Sequence, residues 1–179
     1  MSILKQRNNR MIDLTKPVEI KTYFAVSVLG KSLNLNIIYK KINVPELDIE
    51  EKKVNIILPN KYKNMETVDI ISKVIKKMYD KLAEIEIANT MEKIRVILGF
   101  APEDYKIKRM NDTFIKNNRE KVITINPDIT KFSKKIIENI LIQAFCKTRY
   151  KENTKEYKNL LKKAIEKYEN YEYRIIKVS

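Results

Sequence analysis

The stretch Ile136–Leu161, IIENILIQAFCKTRYKENTKEYKNLL, decides the reading of this chain. Ser133 stands where a helix N-cap is wanted, and Ile136, Ile137, Ile140, Leu141, Ala144 and Phe145 then recur at the spacing of one helical face. A short polar turn interrupts the pattern. A second helix is predicted from near Thr154, with Tyr157, Leu160, Leu161, Ala164, Ile165 and Tyr168 on one stripe. On the first helix Gln143 and Lys147 are four residues apart and therefore neighbours on one face.

Upstream lie Arg109-Met110-Asn111-Asp112-Thr113-Phe114-Ile115-Lys116-Asn117 and the strand-like Ile123-Thr124-Ile125-Asn126. Taken with the helix–turn–helix, these runs resemble the YgjP-like and SprT-like zinc metallohydrolases. Those families carry R-M-K-x-R-W-G-S-C, then I-x-L-N, then a helix bearing H-E-x-x-H and a turn with N-H-S-x-x-F. Arg109, Met110 and the I-x-I-N strand keep the pattern, whereas Phe114, Ile115 and Asn117 replace Trp, Gly and Cys. In the helix frame Gln143 and Lys147 take the places of the two histidines and Ala144 that of the glutamate. Asn153 takes the place of the third histidine in the turn.

The resemblance implies an α+β fold: a small antiparallel N-terminal sheet beside a helical, metallopeptidase-like part with two C-terminal helices. It also implies a degenerate site. Zinc needs His, Cys or carboxylate ligands, and the chain has no histidine with which a shifted frame would rebuild a His site. The base that would take a proton from a metal-bound water is missing at Ala144 as well. No cofactor and no catalytic residue is expected. For Lys147 two readings stand. Either its ammonium reaches water, the favoured one, or it replaces the missing cation and is satisfied by Gln143, Asn153 or a nearby carboxylate.

Composition is consistent with one domain. At 179 residues and 44% apolar content the chain can bury a core. The expected layout is a flexible basic arm at 1–16 and a single domain at 17–179, divided into a β-rich layer at 17–63 and a helix-rich part at 64–179. The one cysteine, Cys146, lies on the apolar helix and reads as a small core side chain in a reducing cytoplasm. No apolar run approaches the length of a membrane span.

The formal charge of +14 attracts polyanions. The ends carry the excess: 12 basic against 6 acidic residues in 1–63 and 13 against 6 in 131–179, with 12 against 11 between them. Most of the cations are lysines, which lack the bidentate fork of arginine.

Along the chain, Phe24, Val26 and Val28 alternate as a strand, and Gly30-Lys31-Ser32 reads as a turn into Leu33, Leu35 and Ile37. Val54–Leu58 reads as a further strand. From Met65 to Leu98 a helical rhythm through Val68, Ile71, Val74, Met78, Ile85, Met91 and Ile94 predicts one long helix, or two, stopped at Gly99. Tyr105, Ile107 and Arg109 alternate as a half-exposed strand, Asn111–Glu120 reads as a loop, and Lys121–Ile125 as a strand. The tail Tyr171–Val178 alternates like a strand at a sheet edge.

No phosphate loop, dinucleotide fingerprint, nucleophile elbow or C-x-x-C pair is present. The leading functional expectation is a catalytically inactive binding or regulatory module for a protein partner, of undetermined oligomeric state. A basic DNA- or RNA-binding protein is the rival, and a nucleotide hydrolase with a relocated metal site the third. Candidate contact residues are Arg109, Phe114, Lys116, Arg149, Tyr150 and Tyr157, with Tyr105 and the two other tyrosines as possible stacking surfaces.

Overall fold

A computed structural model describes the backbone of residues 18–178 and the side chains of residues 24–173. The arm expected over 1–16 lies outside the described residues. The elements are β1 (Val18–Val28), β2 (Lys31–Lys40), β3 (Glu46–Ile49), β4 (Lys53–Pro59), α1 (Val68–Leu98), β5 (Asp104–Ile107), β6 (Ile115–Asn117), β7 (Val122–Ile125), α2 (Lys134–Arg149) and α3 (Lys155–Val178). This is the α+β class expected. The chain divides into two compact units. One holds the described residues up to Val26 and Ser32–Ile75, the other Ser27–Lys31 and Lys76 onward.

In the first unit the strand order is β1-β2-β4-β3. The sheet is mixed, not antiparallel as the sequence reading had it. β4 runs parallel to β2, pairing Leu35 with Val54 and Ile37 with Ile56, and antiparallel to β3. The unforeseen β3 supplies the physical reason. It takes the far edge, and β4 returns between it and β2, which reverses the expected pairing. Leu33, Leu35, Ile37 and Tyr39 alternate inward on β2, joined by Val54, Ile56 and Leu58 on β4. On the other face Asn55 is buried and saturated. Its amide nitrogen donates to Glu50 at 2.6 Å, and its oxygen accepts from Asn36 at 3.1 Å.

The second unit is built on one core. Ile87, Ile94, Ile123, Ile125, Ile129, Ile137, Leu141 and Phe145 are buried in it together. The helix over 68–98 is single and stops at Gly99, whose φ of 78° and N–H to Arg95 O end it. Its buried stripe runs Met78, Tyr79, Ala83, Ile87, Met91, Ile94 and Ile97, while Val68 and Ile85, expected inside, are exposed.

A three-stranded sheet of order β5-β7-β6 covers part of this core. β5 is parallel and β6 antiparallel to β7. The expected loop at Asn111–Glu120 thus contains a strand, β6. It was hidden because Ile115-Lys116-Asn117 is too short to show periodicity among its asparagines. The tail also differs from expectation, since Tyr171–Val178 continues α3 and forms no strand. With no Pro or Gly to stop it, the helix carries Glu172 to Lys93, whose ammonium also meets Glu138 at 3.1 Å and lies 4.9 Å from the Tyr168 ring centre. One lysine thereby ties α1, α2 and α3 together.

The hairpin tip belongs to this unit too, and its turn is Leu29-Gly30 rather than Gly30-Lys31-Ser32. Both residues have positive φ, at 49° and 80°, the requirement of a two-residue hairpin turn with the strand twist. Leu29 accepts that backbone cost while packing on the core, and its N–H donates to Thr130 O at 2.7 Å. Gly30 has no such freedom to change, because a Cβ there would stand 2.8 Å from Ser133 Cα and Cβ. Gly30→Ala is expected to destabilise the chain by about 1–2 kcal/mol or more through φ and collision together. Urea unfolding measures this, and an unchanged midpoint would contradict it.

Candidate functional site

Burial decides which way α2 faces. Ile137, Leu141, Ala144, Phe145 and Cys146 point into the core, and this turns Gln143 outward and leaves Lys147 half-exposed. Ser133 is the N-cap by position, yet its side chain makes no capping bond, and Ile136, expected on the apolar face, is exposed. The following helix is capped by Thr154, whose Oγ1 accepts the Tyr157 N–H at 3.2 Å. Asn153 precedes it in the left-handed region, at φ 70°, with its side chain exposed.

Lys147 does not end in bulk water. Its Nζ lies 2.8 Å from Glu152 Oε1, a carboxylate in the turn between the helices. The alternative in which a nearby carboxylate satisfies the ammonium is therefore the one realised. Ala144, at the general-base position, is 1% exposed, and its carbonyl accepts the Asn117 amide at 2.8 Å. Asn117 pins β6 to α2, a role that the sequence reading, which noted it only as the replacement for the family's Cys, did not assign. Its place in the Cys position of the upstream run was the available signal.

The other candidates disperse. Arg109 is a scaffold residue: its guanidinium reaches Asp128 and Asp80 carboxylates and Lys76 O, each at 2.7 Å. Tyr157 is buried, and burial raises its hydroxyl pKa above the ordinary value, so it offers no surface for stacking. Tyr105 is half-buried on the same core. Arg149 lies 5.1 Å over the Phe100 ring, and Tyr150 is exposed at the end of α2. Phe114 packs edge-on against Phe132 at 5.0 Å and keeps 39% of its surface exposed. Lys116 is exposed on β6 and lines an open groove of about 390 Å³ with Lys108, Arg109, Met110, Asn111 and Thr124. Cys146 is fully buried, and burial pushes its thiol up to about 11, the inert core side chain expected.

The chain belongs to the YgjP-like family, whose metallopeptidase-domain model matches residues 1–175. Comparison with curated proteins and with solved structures gave no match. The family implies a metal, and the donor set at the corresponding positions does not fit one. Gln143 and Asn153 are neutral amides, and Lys147 is an ammonium already paired with Glu152. Among the described residues no three His, Cys, Asp or Glu side chains are grouped so as to hold a metal ion elsewhere. Among the described residues no helix is long and apolar enough to cross a membrane.

Two outcomes follow from this geometry. The Lys147–Glu152 pair is part-exposed, so a double-mutant cycle with alanine should give a coupling of about 0.2–1 kcal/mol that shrinks in high salt. A coupling of zero at low salt would contradict the pairing. Burial alone would raise the Asp128 carboxyl, but hydrogen bonds from Lys131 and Arg109 outweigh it and hold the group below the usual carboxylate range. Its stabilising contribution is therefore complete above the unfolded value of about 3.9 and is lost as pH falls through the lowered folded value. Asp128→Asn should flatten that acid limb of the stability curve, and an unaltered limb would count against it.

Proposed function

We propose that this chain is a catalytically inactive member of the YgjP-like family, a pseudoenzyme that works as a cytoplasmic binding or regulatory module for a macromolecular partner. The observation that carries the reading is the Lys147–Glu152 contact at 2.8 Å. In the family frame this puts a paired ammonium where a metal-ligating imidazole would be. A positive charge there repels a divalent cation, and Ala144 has no carboxylate with which to activate water. Gln143 and Asn153 are free to hydrogen-bond a partner but too weakly basic to hold zinc in its place. The scaffold is retained: Arg109 still ties α1 to the turn after β7, and the I-x-I-N strand is β7 with Asn126, whose amide donates to Met110 O at 2.7 Å. A fold kept while its ligand positions changed fits a role in recognition.

The test restores the ligands. Gln143→His, Lys147→His and Asn153→His together replace exposed or half-exposed side chains and should leave the circular dichroism spectrum unchanged. Elemental analysis after dialysis should find about one zinc per triple-variant chain. A folded triple variant without zinc would overturn the placement of the site.

A further inference from the structure

The sheet of the second unit carries an unpaired row of cations. Its register sets Lys106 of β5 and Lys116 of β6 on either side of Thr124 in β7. The alternation is complete on both edges. Ile115 packs on the core and Asn117 reaches Ala144, so Lys116 faces away from them. Tyr105 and Ile107 pack on the same core and leave Lys106 and Lys108 outside. Strands are spaced about 4.8 Å apart, so the two flanking lysines start about 10 Å from each other, within a screening length at physiological salt. Among the described residues none of Lys106, Lys108 and Lys116 has an ion-pair partner, whereas Arg109 beside them has two. The one acid on β5, Asp104, lies on the same face two residues from Lys106, accepts the Tyr105 N–H at 2.7 Å and forms no ion pair with these lysines. Like charges gathered across strands without counter-ions cost folding free energy.

We propose that this face binds the phosphodiester backbone of single-stranded nucleic acid. The proposal rests on the reading of the chain as a binding module and names its partner. Lys108, Lys116 and the Thr124 hydroxyl line an open groove with Met110 and Asn111 and offer it two ammonium groups and a hydroxyl donor, and Lys106 stands next to Thr124 on the neighbouring strand. Phe114, two residues before Lys116, packs edge-on against Phe132 but keeps part of its ring exposed, a surface on which a base could stack near the basic strands. The lysines of α3 are also exposed, as are the rings of Tyr171 and Tyr173 on the same helix, so a matched α3 variant is the control that separates the two surfaces. An acidic protein would meet the same charge, and the polyglutamate comparison separates it from a nucleic acid.

The experiment measures fluorescence anisotropy of a mixed-sequence 20-nucleotide DNA strand against salt, for the native chain and for Lys106→Gln/Lys108→Gln/Lys116→Gln. Each lost contact should lower the slope of log K against log salt by about 0.7, so the triple variant should lose about 2 in slope and bind about a hundredfold more weakly near 0.1 M salt. A matched variant on α3, Lys158→Gln/Lys163→Gln/Lys167→Gln, should change the slope by less than a third of that. Phe114→Ala should weaken binding at every salt concentration with the slope unchanged. An equal loss in the α3 variant, an unchanged slope in the sheet variant, or equally tight binding of polyglutamate by the native chain would overturn the proposal. None of these results bears on zinc uptake by the restored-ligand variant, so the two readings fail separately.

Discussion

The burial of one face of α2 is the constraint on which the second unit depends. Ile137, Leu141, Ala144 and Phe145 are nearly inaccessible to solvent and share their core with α1, with β7 and with the buried stripe of α3. Burying aliphatic and aromatic side chains of this size contributes about 1.5–3 kcal/mol each, so the helix has no freedom to rotate. Its outer face follows from that. Gln143 and Lys147 are presented together because the residues between them are held inside. The chemistry of the site is thus a choice of side chains on a face whose direction the core already sets.

That choice determines what the site can do. On this face the Lys147 ammonium is paired with Glu152, and in the proposed reading that favours hydrogen bonding and charge recognition over metal binding. The same economy runs through the rest of the unit. Lys93 joins three helices, and Arg109 joins α1 to the turn after β7. Lys93, Lys134 and Lys147 on the helices have carboxylate partners, whereas Lys106, Lys108 and Lys116 of the β5-β7-β6 sheet have none among the described residues.

Much of this was legible in the sequence where periodicity is long. The helices at 68–98 and 134–149, the stripe Tyr157–Ala164–Tyr168 and the inert Cys146 follow from spacing alone. What failed was local and short. β3 and β6 are four and three residues long, below the length at which alternation can be seen, and β3 was the strand that turned the first sheet from antiparallel to mixed. The tail misled because Tyr171, Tyr173 and Ile175 alternate like a strand, although Glu172 is held by Lys93 and nothing in the composition stops α3. The partner of Lys147 and the pinning of Ala144 by Asn117 could not be read from the sequence, since both cross between elements.

The central claim is that an ammonium paired to Glu152 stands where a metal ligand would be required. Isothermal titration of zinc into the native chain tests it most directly. The account predicts no saturable one-to-one heat at neutral pH. A saturable site with a stoichiometry of one, weakened when Gln143 or Asn153 is replaced by alanine, would contradict it.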